Sequence, residues 1–185
     1  MNLFPPKDNS LLLLVDFQTG FLKPFKEKVV KHLENKLTLL IETCKFYKLP
    51  IVVMEQNNEK LGNTTETIQK ALGEFYKPYN KFIFSGMRDN VIKEQIENSK
   101  KQNIIIAGIE THICVLQTTF DLISKNYNVY IISDAVGSRF KEDYMFGLEK
   151  LREIGAKLLT TEMLLFGYLE RSDRKDFKHF LPFLK

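Results

Sequence analysis

The sequence predicts an α/β protein with a doubly wound, Rossmann-like three-layer α/β/α fold and a six-stranded parallel sheet. Short apolar runs alternate along the chain with segments whose apolar residues recur at helical spacing. Several of the runs are continuous in Leu, Ile and Val, which is typical of parallel strands buried on both faces. The chain has 185 residues, 44% of them hydrophobic and 27% charged, so we expect one domain spanning residues 1–185.

The first predicted strand and helix occupy the first quarter of the chain. Residues 10–15 form an apolar run that ends at Asp16, so this carboxylate should emerge at the carboxyl end of a buried strand. Residues 26–47 place apolar side chains at helical spacing, with Lys and Glu on the other face. Cys44 lies on the apolar stripe, and we therefore expect it to fill the core.

The second and third predicted strands enclose the longest predicted loop. Residues 49–54 form an apolar strand, and the polar segment after them runs through a Gly-Asn-Thr-Thr turn into a short helix at 66–72. Residues 80–84 form a short third strand, which contains Lys81. An amphipathic helix at 89–99 follows and returns the chain to the sheet.

The second half of the chain repeats the alternation. Residues 103–108 and 128–133 are predicted strands, and the helix between them carries Cys114. A helix at 141–154 and a sixth strand at 156–160 complete the pattern before terminal helical segments. Parallel strands connected in this way require right-handed crossovers, with helices on both faces of the sheet.

The turn after the fourth strand is the first candidate site. The strand stops at Gly108, and Thr111 is predicted to cap a helix with Cys114 in its first turn. Free N–H groups and the helix dipole favour anions there, so the thiol should ionise more easily than a free cysteine. Ligands bind beyond the carboxyl ends of parallel strands, so Asp16 should face the same crevice. The alternative is that Cys114 is a small apolar residue on a buried helix face.

Composition and motifs exclude several function classes. The net charge of +4 arises from 27 basic and 23 acidic residues that are interleaved, so nucleic-acid binding is not indicated. No dinucleotide-binding or P-loop glycine motif follows the first strand. No apolar segment approaches 18 residues and residues 1–8 lack a secretory pattern, so we expect a cytoplasmic protein without membrane contact.

Four segments together resemble a known family. Residues 15–21, 80–85, 108–115 and 133–138 resemble, in order and spacing, the isochorismatase-like cysteine hydrolase superfamily. Within it they look most like the isochorismatase-domain-containing (YcaC-related) subgroup of unknown substrate. The resemblance covers nearly the whole chain.

The resemblance implies a set of functional residues. It implies a catalytic triad of Asp16, Lys81 and Cys114, and a cis peptide bond between Ile109 and Glu110. The backbone N–H groups of Glu110 and Cys114 would then form an oxyanion hole. In such a site the carboxylate takes the proton of the thiol, the ammonium lowers the pKa of the other two groups, and a thioester intermediate forms.

The resemblance also bears on metals and on the substrate. Nicotinamidase-like members hold a metal through an Asp-x-His and a further His after the second strand, where this chain reads Met-Glu-Gln-Asn-Asn-Glu-Lys. The three histidines, at 32, 112 and 179, have no ligand spacing, so we expect neither a metal nor another cofactor. Isochorismate hydrolysis is disfavoured because siderophore-pathway enzymes of this fold generally lack the cysteine. A small amide, imide or related carbonyl compound is the expected substrate.

Two hypotheses of different class remain from the sequence. The first is a metal-independent cysteine hydrolase that acts on such a small molecule. The second is a catalytically weak oligomeric scaffold, or a thiol-based redox sensor in which Cys114 is oxidised. The resemblance and the apolar residues at the C-terminus, 177, 180, 181, 183 and 184, lead us to expect a homo-oligomer.

Several residues have both a functional and a structural interpretation. Phe17, Phe21, Gln56 and Met87 are candidates for a substrate pocket, although the three apolar ones would serve equally well as core. The side chain of Glu110 is expected to be solvated. His112 is not expected to pair with the catalytic cysteine, because helical residues two positions apart point in different directions. Lys77 competes with Lys81 on composition alone, and the family motif favours Lys81.

Overall fold

The computed structural model describes residues 3–184 and contains one six-stranded sheet whose paired strands are all parallel. The strand order is β3-β2-β1-β4-β5-β6. The strands are β1 (Ser10–Val15), β2 (Ile51–Gln56), β3 (Pro78–Lys81), β4 (Asn103–Ile109), β5 (Asn128–Gly137) and β6 (Lys157–Leu159). The predicted fold class is confirmed.

Helices connect the strands and cover both faces of the sheet. They are α1 (Thr19–Leu22), α2 (Glu27–Phe46), α3 (Asn58–Leu61), α4 (Glu66–Leu72), α5 (Asn90–Asn98), α6 (Leu116–Ser124), α7 (Lys141–Glu153), α8 (Thr161–Leu169) and α9 (Phe177–Phe180). A π-helical turn, Thr111–Val115, precedes α6. Within the described residues, no helix combines the length and the apolar character that crossing a bilayer requires.

Alternation along β1 divides the core into two layers. Leu12 and Leu14 point to one face, where α2, α4 and α8 pack, and Leu11, Leu13 and Val15 point to the other, where α5, α6 and α7 pack. All five side chains are at most 1% exposed. A central strand that is apolar on both faces is what a three-layer parallel fold requires, since water reaches neither side.

The second strand lies two residues later than predicted. It begins at Ile51 because Pro50 has no N–H to donate to the ladder, although the Pro50 carbonyl still accepts from Leu12 at 2.9 Å. It continues through Gln56, so Glu55 and Gln56 are strand residues and not the start of a loop. Both side chains are therefore buried at the carboxyl end of the sheet.

The third strand was predicted at residues 80–84, and most of that prediction is wrong. The strand is Pro78–Lys81, and its last paired residue, Lys81, lies opposite Gln56 at the end of β2. Without a neighbouring strand the chain leaves the sheet, and Phe82 is 68% exposed. The edge strand β3 ends where β2, its partner, ends. The apolar pattern of residues 80–84 carries no information about the end of β2.

The apolar C-terminal residues pack against their own chain. Phe180 is fully buried against Leu39, Leu165 and Leu169, and Phe177, Phe183 and Leu184 are partly buried on the same cluster. Of the residues that suggested self-association, Leu181 is the exposed one, at 46%. This segment therefore supplies little free apolar surface.

The backbones of β1 and β4 approach closely at their carboxyl ends. Gly108 lies opposite Val15 with φ +116°, and a Cβ at this position would lie 2.0 Å from the carbonyl oxygen of Val15. Asp16, the next residue along, has φ +47°, in the left-handed region. The strand ends that carry Asp16 and the turn before Cys114 are thereby brought into direct contact.

We predict that Gly108→Ala destabilises the protein by about 3 to 5 kcal/mol, from the strained φ together with the backbone clash. Gly155→Ala is the matched control, because Gly155 has φ +100° and nothing within 4 Å of the added carbon. It should cost about 1 to 2 kcal/mol. Urea unfolding monitored by circular dichroism measures both, and equal losses would contradict the close approach.

Candidate functional site

Asp16, Lys81 and Cys114 come together at the carboxyl edge of the sheet. Asp16 follows β1, Lys81 ends β3, and Cys114 lies in the π-helical turn after β4. Asp16 and Lys81 are fully buried and Cys114 is 2% exposed. The charges of Asp16 and Lys81 both act on the Cys114 thiol. The three residues therefore form one coupled cluster.

A buried ion pair holds Lys81 in place. Its Nζ donates to Asp16 Oδ2 at 2.7 Å and to Gln56 Oε1 at 2.7 Å. The Gln56 side chain in turn donates from Nε2 to the carbonyl of Phe82 at 2.9 Å. Ionised groups can stay buried when they are paired and hydrogen-bonded in this way. Gln56 therefore positions the ammonium group.

Gln18 was not identified from the sequence, although it lies within the segment 15–21 that carried the resemblance. Its Oε1 accepts from the Gln56 N–H at 2.7 Å, and its Nε2 donates to the carbonyl of Gly62 at 2.6 Å. The side chain is fully buried. It links the end of β2 to the loop before α4, so both sides of the site are fixed relative to each other.

Glu55 is a buried carboxylate beside the triad. Its Oε1 accepts from the N–H and the hydroxyl of Thr64 and from the hydroxyl of Tyr76, each at 2.8 Å. These bonds hold the segment after α3 against the sheet. The negative charge of Glu55 also contributes to raising the pKa of Asp16.

Burial is the main influence on the pKa values of Asp16 and Cys114. It raises the pKa of Asp16, and the neighbouring Lys81 ammonium opposes this shift. Burial also raises the pKa of Cys114, the charge of Asp16 raises it further, and Lys81 again acts in the opposite direction. The expectation of an easily ionised thiol is therefore wrong, because desolvation outweighs the favourable charge. Burial disfavours the thiolate of Cys114, as it does that of Cys44, whose pKa is raised by burial in the core.

One oxygen of Asp16 is not bonded to Lys81. Oδ2 is bonded to Lys81, whereas Oδ1 is buried and, among residues 3–184, has no hydrogen-bonding neighbour other than the Cys114 thiol, which interacts with this carboxyl group. Buried carboxylate oxygens normally find a donor, and an orphan at the centre of a polar cluster marks a place for a proton or a ligand. Oδ1 is therefore the atom of Asp16 that can accept a proton.

The turn that carries Cys114 differs from the expected helix start. The peptide bond between Ile109 and Glu110 is cis. The Glu110 carbonyl accepts from the N–H groups of Ile113 at 3.1 Å and Val115 at 3.2 Å, which makes a wide π-helical turn. The prediction that Thr111 caps the helix is wrong, because its Oγ1 is buried and has no partner in the described chain.

The Glu110 side chain is buried and paired, contrary to the expectation that it is solvated. It is 2% exposed and accepts from the Arg139 N–H at 2.9 Å and from Arg139 Nη1 at 2.8 Å. Arg139 lies just beyond β5 and was not identified from the sequence, since no local pattern links the two positions. His112 contacts the hydroxyl of Ser138, the residue after β5, through Nδ1 at 2.9 Å, so its hydrogen bond is not made to Cys114.

The four proposed pocket residues do not share one wall. Phe17 is fully buried and Phe21 partly buried in the layer of α2, whereas Met87 packs in the opposite layer with Cys114. Gln56 binds Lys81, as described above. None of the four lines the cavity of about 620 Å³ between the start of α2, the end of β5 and the start of α7.

The donor set does not suggest a metal centre. Across the part of the chain that the structure describes, no three His, Cys, Asp or Glu side chains cluster as metal ligands would. His112 is engaged with Ser138, and Oε1 of Glu55 accepts from Thr64 and Tyr76.

Comparisons with known sequences agree on one family. A family model described as the isochorismatase domain matches residues 10–163. Isochorismatase family protein 1A of Dictyostelium discoideum is 35% identical over 187 residues, covering 98% of this chain and 87% of the relative. A secreted isochorismatase effector of Phytophthora sojae is 31% identical over 181 residues, covering 96% and 85%.

Solved structures share the fold. A structure described as the MAR1 ribonuclease of Caenorhabditis elegans has TM-score 0.87 at 32% identity, covering 98% of this chain and 92% of that one. YcaC of Escherichia coli, described as an octameric hydrolase of unknown specificity, has TM-score 0.83 at 18% identity, covering 90% and 82%. The nicotinamidase PncA of Bacillus subtilis has TM-score 0.72 at 16% identity, covering 81% and 98%.

We predict that Asp16→Asn shifts the alkylation of Cys114 to lower pH. The negative charge of Asp16 raises the pKa of this thiol, and its removal leaves the Lys81 ammonium unopposed. The pH profile of iodoacetamide labelling, followed by intact mass in a Cys44→Ser background, measures the shift. A profile that is unchanged, or moved to higher pH, would show that the two groups are not coupled.

Proposed function

The chain belongs to the isochorismatase domain family, and we propose that it is a metal-independent cysteine hydrolase that cleaves a small amide, imide or related carbonyl compound. The observation that carries the proposal is the buried Lys81–Asp16 pair, whose second carboxylate oxygen is not bonded to Lys81 and whose carboxyl group interacts with the Cys114 thiol, the pKa of which burial raises. A thiol whose ionisation is disfavoured needs a base during attack, and Asp16 is the group available to serve as one.

The proposed reaction begins with attack of the Cys114 sulfur on the carbonyl carbon of the substrate. The S–C bond forms as the thiol proton moves to Oδ1 of Asp16, and the carbonyl electrons move onto the oxygen. The N–H groups of Glu110 and Cys114 are the proposed donors to this oxyanion. Lys81 stays charged and holds Asp16 in position through Oδ2.

The intermediate then collapses. The C–N bond breaks and the proton held by Asp16 passes to the leaving nitrogen, so that an amine or amide departs and a thioester remains. Asp16 next takes a proton from a water molecule that attacks the thioester carbon. The C–S bond breaks, the thiol regains its proton, and a carboxylic acid leaves. Atoms and protons balance with water as the one co-substrate.

The burial of the triad bears on the size of the substrate. Asp16 and Lys81 are fully buried and Cys114 is 2% exposed, which favours a small molecule over a polymer as substrate. The name of the C. elegans protein concerns ribonuclease activity. An RNA strand would have to meet a general acid and base at an accessible surface, and the triad does not provide this. RNA is therefore included in the substrate test as a comparison.

The assembly and location of the protein are part of the proposal. We propose a homo-oligomer, supported by the octameric description of YcaC and by exposed apolar side chains such as Phe82 and Phe146, at 68% and 70%. We propose a cytoplasmic location, supported by two free cysteines that suit a reducing compartment, although one relative is described as secreted. A redox-sensor role is disfavoured, because sensing cysteines are exposed and easily ionised.

We predict that a panel of small amides and imides yields a Cys114 acyl adduct and turnover. Cys114→Ala should abolish both, and Asp16→Asn should lower kcat by about 10² to 10⁴-fold, because the proton relay is lost. Intact mass and product analysis measure the two effects, with Cys44→Ser as the control that keeps full activity. EDTA should leave the rate unchanged. Turnover of RNA alone, or full activity in Asp16→Asn, would refute the proposal.

A further inference from the structure

The structure contains a cavity that none of the three proposed triad residues lines. It has a volume of about 620 Å³, within the usual range for small-ligand sites, and is formed by the start of α2, the end of β5 and the start of α7. Asp16, Lys81 and Cys114 are not among its lining residues. The cavity draws on both layers of the core, since Leu33 belongs to the α2 layer and Val136 belongs to the opposite layer, which also contains Cys114.

The floor of the cavity is apolar. Phe25, Leu33 and Val136 are 8%, 3% and 2% exposed and form its base, and Val29 and Phe140 are exposed at its mouth. A surface of this kind favours the hydrocarbon or aromatic body of a ligand, because burial of apolar area releases water.

The rim of the cavity is basic. Lys26, Lys28, Arg139 and Lys141 line it, against two carboxylates. One of these, Asp134, is already occupied by the N–H and hydroxyl of Thr161 at 2.7 and 2.9 Å. In residues 3–184 none of the three lysines takes part in an ion pair. The charges of the three rim lysines therefore lack an acidic partner within the described residues, whereas Arg139 is paired with Glu110.

The guanidinium group of Arg139 can donate to a second hydrogen-bond acceptor. Its Nη1 and backbone N–H are bonded to Glu110, which fixes the side chain, while its remaining guanidinium N–H groups stay available. The residues before α2 and α7, Lys26 and Phe140, also line the cavity, and neither helix start has a side-chain cap. The free N–H groups of both helices add to the positive potential.

We infer that this cavity binds a small carboxylate with an apolar body, whose charged end meets Arg139 and the rim lysines and whose body rests on the apolar floor. The inference is independent of the reaction proposed for Cys114. A ligand bound to Arg139 would contact the residue that forms an ion pair with Glu110. Glu110 directly precedes the turn that carries Cys114, so one ion pair connects the cavity to that turn.

Isothermal titration calorimetry of the full chain with 4-phenylbutanoate tests the inference. The neutral 4-phenylbutan-1-ol should bind about tenfold more weakly, because it lacks the charge-assisted contacts. The double variant Lys26→Gln/Lys28→Gln should lose about tenfold in affinity for the acid. Lys23→Gln/Lys31→Gln is the matched control, since it removes the same charge from exposed lysines nearby that do not line the cavity, and it should bind as the wild type does.

Two further variants locate the bound molecule. Val29→Trp should block the acid and the alcohol alike by filling the mouth of the cavity, whereas Cys114→Ala should bind the acid with unchanged affinity. The inference fails if the wild type binds no acid, if acid and alcohol bind equally, or if the two lysine pairs behave alike. It also fails if Cys114→Ala loses binding, because the ligand would then occupy the triad.

Discussion

The buried ion pair between Lys81 and Asp16 is the interaction on which the arrangement of the site depends. It joins the edge strand β3 to the central strand β1 across β2, and Gln56 of the intervening strand supplies the second acceptor. Desolvating two charges is costly, and the pair is tolerated because Gln56, itself held by Gln18, completes its hydrogen bonds. The position of the carboxylate therefore depends on three neighbouring strands and one loop.

The same burial explains how the site can be chemically active without a resting thiolate. Asp16 and Cys114 are both made weaker acids by desolvation, and a single ammonium group opposes the shift in each. The cluster accommodates one anion beside Lys81 more easily than two. In the proposed reaction the proton moves within the site, from Cys114 to Asp16, and the negative charge passes from the carboxylate to the substrate oxygen, so the total charge of the site and the substrate does not change. The cluster therefore suits a mechanism in which Asp16 accepts the proton of the Cys114 thiol during the attack.

Most of the fold and part of the site could be predicted from the sequence, for identifiable reasons. Strand β4 and helix α2 were predicted within a residue or so, because their apolar patterns report burial directly. The end of β3 was not predictable, since it is set by where β2 ends. The bond of Glu110 to Arg139 and that of Gln18 to Gln56 join residues distant in sequence, and no local pattern encodes them. The acidity of Cys114 was misjudged because helix position was visible in the sequence and the depth of burial was not.

The position of β1 in the sheet has a consequence for the growing chain. β1 pairs with β2 on one side and with β4 on the other, and β4 is made after β3 and α5. During synthesis on the ribosome, the most apolar strand of the protein therefore has one open edge until residues 103–109 emerge. An unpaired apolar edge is a template for association with other chains. The pairing of β1 on both edges can therefore be completed only after β4 has been synthesised.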